Sequence, residues 1–372
     1  LKVVLKEDTK TLDEVVVIGY GTQRKEELTS SVMSVKAENF VQVTTPDAAG
    51  LIKGKVAGLS VINPDANPLS TSEIVLRGST TLKSGTSPLI LIDGVPGELN
   101  SGSPNDIEQI DVLKDGSAAA IYGTRGTNGV ILITTKTSKG EMKPTIEVNS
   151  YVSFQKIAKK LPMMSADQYL EKVKEGYTGA ADYGSKTDWL DEIMQTPFNQ
   201  TYSINLRGGS KNTNYIASFD YASNEGLVKR SKVETIFPRL NVTHRMFDNR
   251  LKIDAGLSGY QQSYGIPYVY QSALIYNPTE PIKDENGKWT EVARDLYYNP
   301  LALLNETQGK NDATNLRMHA TVTVTPIEGL DIKWLLSREV YNKFSGYYET
   351  KNHRSTTIQN KNGYASRETH KN

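Results

Sequence analysis

From residue 144 onward, apolar and polar positions alternate with a period of two. Ile146, Val148, Val152 and Phe154 share one face of segment 144–155, opposite Glu147, Asn149 and Ser153. This is how a strand with one apolar side reads. The same alternation predicts strands over 201–208, 214–223, 234–246, 250–262, 314–326 and 330–341, with an eighth beginning near Tyr347. Residues 28–137 follow a different grammar, in which Gly and Pro break short apolar runs such as LSVIN, EIVLRG, PLILIDGVPG, QIDVLKDG and GVILITTK. That punctuation predicts a small α+β domain of short strands and tight turns. Asp93-Gly94 and Pro96-Gly97 are turn pairs, and Ser117 to Ile121 offers small helix formers ahead of a Gly stop.

The connections between the later strands carry more information than the strands. Short ones at 209–213, 247–249 and 327–329 alternate with long ones at 156–200, 224–233 and 263–313, and a further stretch follows Tyr341. In an antiparallel sheet this places every tight turn at one end and every large loop at the other, as in outer-membrane barrels. A soluble sandwich or propeller predicts similar turns at both ends and shorter strands, so the barrel is favoured. A long first connection makes the first strand run outward, so the small domain begins on the periplasmic side. Within that connection a helix is expected from Ala166 to Glu175, with Ser165 capping and Gln168 completing a capping box.

Near the start, Val15, Val16, Val17 and Ile18 form an apolar strand-former between the charged segments KEDTKTLDE and QRKEE. A short core strand is the plain reading. The solvated flanks instead favour an exposed strand that pairs with a partner's sheet edge.

Composition narrows the classes. Lys plus Arg total 43 against 42 Asp plus Glu, and a net charge of +1 gives no long-range pull toward nucleic acid. No run reaches the roughly 18 apolar residues of a spanning helix. The mean hydropathy of -0.46 is nevertheless compatible with membrane strands, whose alternation keeps the average low. With 29 Gly and 20 Tyr against 7 Phe, strands and turns are favoured, and zero Cys removes disulfide and thiolate chemistry. Residues 1–8 lack the features of an export signal, so any signal is expected upstream.

Candidate chemistry is sparse. His244, His319, His353 and His370 have no metal-ligand spacing, and no nucleophile motif accompanies them. The expectation is no enzyme, no metal and no cofactor. YGTRGTNG lacks the Lys-Ser/Thr of a phosphate loop and reads as a turn. DENGKW lacks the later ligands of a calcium loop and reads as a solvated turn. The third long connection is rich in aromatics, and Tyr264, Tyr268 and Trp289 are its candidate ligand contacts, because aromatic faces stack on sugar rings. Tyr is also common at barrel rims, which is the competing reading.

LDEVVVIGYGTQ resembles the TonB-box segment of SusC-like transporters of Bacteroidetes-type bacteria. GLIKGKVAGLSVI, EIVLRGST, SPLILIDGVPG and PNDIEQIDVLKDGSAAAIYGTRGTNGVILITTKTSKG resemble the plug of that family in order and spacing. The likeness is close over residues 12–140 and looser through DWL, TYSINLRGGS and YIASFDYASNEG to about residue 260.

The resemblance implies a periplasmic segment with the TonB box over 1–27, a plug domain over 28–140 and the first strands of a transmembrane β-barrel over 144–372. The fold class is thus an α+β plug followed by antiparallel barrel strands, an incomplete portion of the roughly 22-stranded barrel of plugged transporters. It implies TonB-dependent import across the outer membrane, with oligosaccharides as first ligand and peptides as second. A surface sensor or adhesin that binds without transporting is the reading from another class. The implied partners are TonB with its inner-membrane energising proteins, a SusD-like surface lipoprotein acting as lid, and outer-membrane lipid. The resemblance also allows a homodimer of the transporter–lipoprotein pair. TonB contact falls on Val15, Val16, Val17, Ile18 and Gly19, with Asp13 and Glu14 at its edge.

The resemblance further implies that the plug arginines Arg77 and Arg125 pair with barrel carboxylates, since buried charge requires a partner. The alternative is an arginine fixing a plug loop through carbonyls. Two departures are noted. The family's N-terminal extension is reduced to LKVVLKED, and SRETHKN is not the terminal aromatic strand of a finished barrel.

Overall fold

The computed structural model describes residues 32–41, 47–63, 67–76, 78, 86–114, 122–177, 179, 181–291 and 298–372, together with the backbone of 15–18 and 21–24. The chain divides into two units, one of Leu1–Pro64 and Thr71–Thr137, the other of Asp65–Ser70 and Ser138–Asn372. The helix expected over 117–121 lies outside the described residues.

In the first unit, β1 (Val15–Ile18) and β2 (Gly21–Arg24) form a two-stranded antiparallel sheet. The remaining strands are β3 (Val32–Lys36), β4 (Leu59–Ile62), β5 (Glu73–Leu76), β6 (Leu89–Ile92), β7 (Val95–Pro96), β8 (Ile107–Leu113) and β9 (Val130–Thr135). β4 pairs with β5, while the main sheet runs β3-β8-β9-β6-β7 with only β6 and β9 parallel. In the central strands, Val130 to Ile133 of β9 and Ile110, Val112 and Leu113 of β8 are buried because both faces of the sheet are covered. Ile110, Val112, Ile131 and Ile133 pack on one side with Leu51, Ile52, Ile74 and Leu76. Leu113, Val130 and Leu132 pack on the other with Leu91 and Tyr122.

Two devices hold this domain's corners. Asp93 (φ 50) and Gly94 (φ 84) form the two-residue turn between β6 and β7, as a primed hairpin turn requires. The Asp93 carboxylate also accepts from the amide of Thr135 at 2.9 Å and its hydroxyl at 2.7 Å. Asp47 caps the short helix Ala48–Leu51 through the amides of Ala49 and Gly50, and accepts the amide of Ser72 at 2.6 Å, tying the helix to the start of β5.

The second unit is an eight-stranded antiparallel sheet in sequential order: β10 (Met142–Phe154), β11 (Phe198–Gly209), β12 (Thr213–Glu225), β13 (Lys232–Met246), β14 (Leu251–Gly265), β15 (Thr307–Ile327), β16 (Leu330–Glu349) and β17 (Tyr364–Lys371). The largest departures from the sequence reading fall at β15, β16 and β17. β15 starts at Thr307 instead of 314, and β16 continues to Glu349, so the eighth strand starts at Tyr364 and not near Tyr347. The reason is pairing: Thr307 to Val324 face Glu349 to Ile332 across the β15–β16 ladder, which organises polar stretches that carry no alternation of their own.

The sheet is inverted relative to a soluble one. Its buried face carries Asn199, Ser203, Asn205, Ser218, Asp220, Thr235, Asn241 and Thr243, whereas Ile204 (50% exposed), Phe219, Leu240, Trp334 and Leu336 (72%) face outward. Register keeps the polar side chains together, Ser203 opposite Asp220 and Asn205 opposite Ser218. Water penalises such a surface, and a hydrocarbon environment stabilises it. Strands of 12 to 21 residues from β11 to β16 exceed the roughly 9–11 that a tilted crossing needs. No described helix is long and apolar enough to cross a membrane, which leaves crossing by strands open.

Candidate functional site

Val15 to Ile18, the segment on which TonB contact is expected, form β1, antiparallel to β2 with Val15 opposite Arg24, Val16 opposite Gln23, Val17 opposite Thr22 and Ile18 opposite Gly21. Asp13, Glu14 and Gly19 lie outside the described residues. Among the described residues, no third strand joins this pair.

Of the plug arginines, Arg77 lies outside the described residues, and Arg125 is exposed in the 3-10 turn Gly123–Gly126. Beside that turn, Gly129 enters β9 at φ +89, where a Cβ would stand 2.5 Å from Leu76 Cδ1 and 3.0 Å from the Leu113 carbonyl oxygen. Only glycine meets both demands.

At one end of the eight-stranded sheet, the four longer connections gather into one cap. They span 155–197, 226–231, 266–306 and 350–363, opposite the tight turns 210–212, 247–250 and 328–329. The first holds the helix Ala166–Lys174, with Ser165 and Gln168 making the expected capping box, and the helix Trp189–Ile193, capped by Asp188. The third holds the helices Tyr270–Ile275 and Pro300–Glu306.

These pieces share a hydrophobic core built from Trp189, Leu190, Ile193, Val269, Tyr276 and Leu304. Trp189 and Tyr276 meet edge to face at 4.8 Å, and the Trp189 indole donates to the Asn277 carbonyl at 2.9 Å. Backbone bonds from Ser185 to Thr279 and from Thr187 to Pro278 continue the seam, and the Thr187 hydroxyl donates to the Glu280 carbonyl at 2.7 Å. Lys229 and Gln195 amides join the second connection to the first, with partners Ile193 and Leu227. The fourth is tied in by Arg354, which lies 3.8 Å from Glu291 and over the ring of Tyr298. The loops are therefore a preformed body with its own core.

A cavity of 1060 Å³ opens between the first and third connections. Leu161, Met163 and Met164, all exposed, form an apolar wall, and Tyr169, Tyr276 and Glu280 form another part of the lining. Glu280 is buried, and burial pushes its carboxyl above the ordinary range. Ion pairs Lys186–Asp167 and Lys160–Asp191 leave the surrounding charge balanced.

The three aromatics singled out from sequence are not among the residues lining this cavity. Tyr264 belongs to β14, Tyr268 is 89% exposed, and Trp289 is half-buried. Trp289 donates to Glu306 at 2.7 Å and carries Lys283 over its ring, which makes it a brace of the cap. DENGKW is a turn, since Asp284 Oδ1 accepts the amides of Asn286 and Lys288. The residues sequence reasoning missed are Trp189 and Asn277, while Tyr276 showed only as one of the aromatics of the third connection. DWL was visible as a motif, but its partner lies 88 residues away.

The family model described as the TonB-dependent Receptor Plug Domain matches residues 24–130. TonB-dependent receptor SusC of Bacteroides thetaiotaomicron is 37% identical over 76% of this chain and 30% of its own length. TonB-dependent receptor P26 of Formosa agariphila is 33% identical over 96% of this chain and 37% of its own. The chain thus spans about a third of the length of these curated relatives. Among solved structures, that of the RagAB peptide importer in the open-open state matches with a TM-score of 0.79 at 24% identity, covering 91% of this chain and 43% of that one. That likeness carries the fold.

Proposed function

Since the chain belongs with the SusC-like TonB-dependent receptors as a partial-length member, we propose that it is the coupling strand, plug and opening strands of an outer-membrane importer. The observation that carries this reading is a receptor plug fold followed by a sheet whose apolar face is exposed and whose polar face is buried. An outward-facing cap and a coupling strand directed to the periplasm follow from the alternation of long and short connections. The plug gates the pore, TonB engages Asp13 to Gly19, and Arg77 pairs with a barrel carboxylate, whereas the exposure of Arg125 removes the burial that would require such a partner.

The cargo is a nutrient too large for passive entry, with oligosaccharides as the first class and a SusD-like lipoprotein as the lid. Peptides are the second class, and two observations favour keeping them. The fold matches a structure named as a peptide importer, and the cavity wall of Leu161, Met163 and Met164 is apolar and flexible instead of a flat aromatic platform. Two transporter–lipoprotein pairs associating is part of the same proposal.

Deleting residues 13–20 in the full-length protein tests the reading in cells. Uptake of labelled ligand is expected to stop while surface binding persists. Undiminished uptake overturns TonB coupling, and absent uptake by the intact protein with binding retained selects a sensor or adhesin.

A further inference from the structure

One acid lining the 1060 Å³ cavity of the cap lacks the partner that burial demands. Glu280 is 3% exposed, and its Oε1 has no hydrogen bond among the described residues. The residue is held from both sides of its backbone: its amide donates to the Asn277 carbonyl at 3.2 Å, and its carbonyl accepts the Thr187 hydroxyl at 2.7 Å. The polar groups around it are already used. The Trp189 indole donates to the Asn277 carbonyl, Asn277 Nδ2 to the Ala181 carbonyl at 2.8 Å, and the Tyr276 hydroxyl to the Thr290 carbonyl at 2.8 Å.

Among the described residues no cation pairs with this carboxyl. Of the lysines on the lining, Lys186 pairs with Asp167 and Lys160 with Asp191. Arg354 lies 3.8 Å from Glu291, which is near enough to Glu280 for the two carboxylates to repel. A buried carboxylate is costly unless a cation or several donors meet it. A metal ion is a poor candidate, because no three ligating side chains converge among the described residues. An ammonium group fits better, since it brings one charge and three donors on a compact head, and its bond to a carboxylate is about twice as strong as a neutral one. The rest of the lining selects the body that carries it. Leu161, Met163 and Met164 are each about half exposed and form an adaptable apolar wall that a ligand would cover.

We propose that the cavity is a binding site for a primary ammonium carried on an apolar body, with Glu280 Oε1 as the acceptor and Leu161, Met163 and Met164 against the apolar part. The site concerns the cap alone and depends on no part of the TonB coupling reading, so its failure would leave that reading standing.

Titration calorimetry on the full-length protein at neutral pH tests it with two probes, leucinamide and N-acetylleucinamide, which share the apolar side chain and differ in the charged amine. Leucinamide is expected to bind at least about tenfold more tightly, and Glu280→Gln to remove that preference while leaving the acetylated probe unchanged. Equal affinities for the unsubstituted protein overturn the proposal, and this comparison holds even if a variant fails to fold. A preference that survives Glu280→Gln places the amine elsewhere and overturns it too. Replacing Met163 and Met164 together by Ser is expected to weaken both probes about tenfold, and unchanged binding of both would overturn the apolar half of the site.

Discussion

The Trp189 indole nitrogen donates to the carbonyl of Asn277 at 2.9 Å while its ring meets Tyr276 edge-on. One side chain thereby joins two barrel connections that the sequence holds far apart. It makes the longer connections a single body, so any movement at this end of the sheet falls on the cap as a unit.

Trp189→Ala is expected to loosen the cap by about 3–5 kcal/mol, the usual cost of deleting a large buried aromatic. Trp189→Phe loses chiefly the hydrogen bond and is expected to cost about 1 kcal/mol. Protease sensitivity of 155–197 and 266–306 reads the difference. Equal sensitivity of the two variants would deny Trp189 its joining role.

Within the plug, Gly129→Ala places a Cβ on Leu76 and on the Leu113 carbonyl at a positive φ. Strain and steric overlap together are expected to cost about 1–3 kcal/mol. Faster amide exchange in β5 and β9 of the full-length protein is the measurement, and exchange as in the unsubstituted protein would contradict the packing described.

The inverted sheet makes an asymmetric prediction. Ile204→Arg puts a charge on the exposed apolar face and is expected to destabilise the protein in lipid by about 2–4 kcal/mol if it lies near midplane. Thr243→Ser, on the buried polar face, is expected to be nearly silent. Folding yields into lipid vesicles compare the two, and the reverse ranking would assign the faces wrongly.

Glu280 and Glu291 sit in the third connection with carboxyls pushed above their ordinary value, in each case foremost by burial. These two carboxyls therefore hold protons more tightly in the folded protein than in the unfolded chain, and the stability they lend the third connection falls as pH rises. The connection is expected to be firmest below the ordinary value of 4.5 and to loosen as pH climbs through the raised folded-state values. Amide exchange over 266–306 across that range measures the slope. Glu280→Gln should reduce it, and an unaltered slope would remove Glu280 as a source.

Local rules made part of this molecule readable in advance. Period-two alternation located most of the barrel strands, Asp93-Gly94 marked its hairpin, and Ser165 with Gln168 marked the start of a helix. Each depends on neighbours a few residues apart. The ends of β15 and β16 did not show, because their polar residues are strands only by virtue of pairing with each other. The roles of aromatics were equally hidden: Trp289 braces, Tyr268 is exposed, and Trp189 anchors, though all three are simply aromatic residues in loops.

The sequence by itself determined the class of protein. An isolated Val-rich strand, a Gly-punctuated plug and alternating strands with unequal connections are consequences of chain geometry and solvent preference acting over short range. Tertiary structure decided what faces what: the strand order β3-β8-β9-β6-β7, the lining of the cavity in the cap, the joining of four connections into one cap and the pairing of β1 with β2. Those depend on contacts between residues distant in sequence, and a side chain's type sets its preference for burial without specifying the partner that buries it.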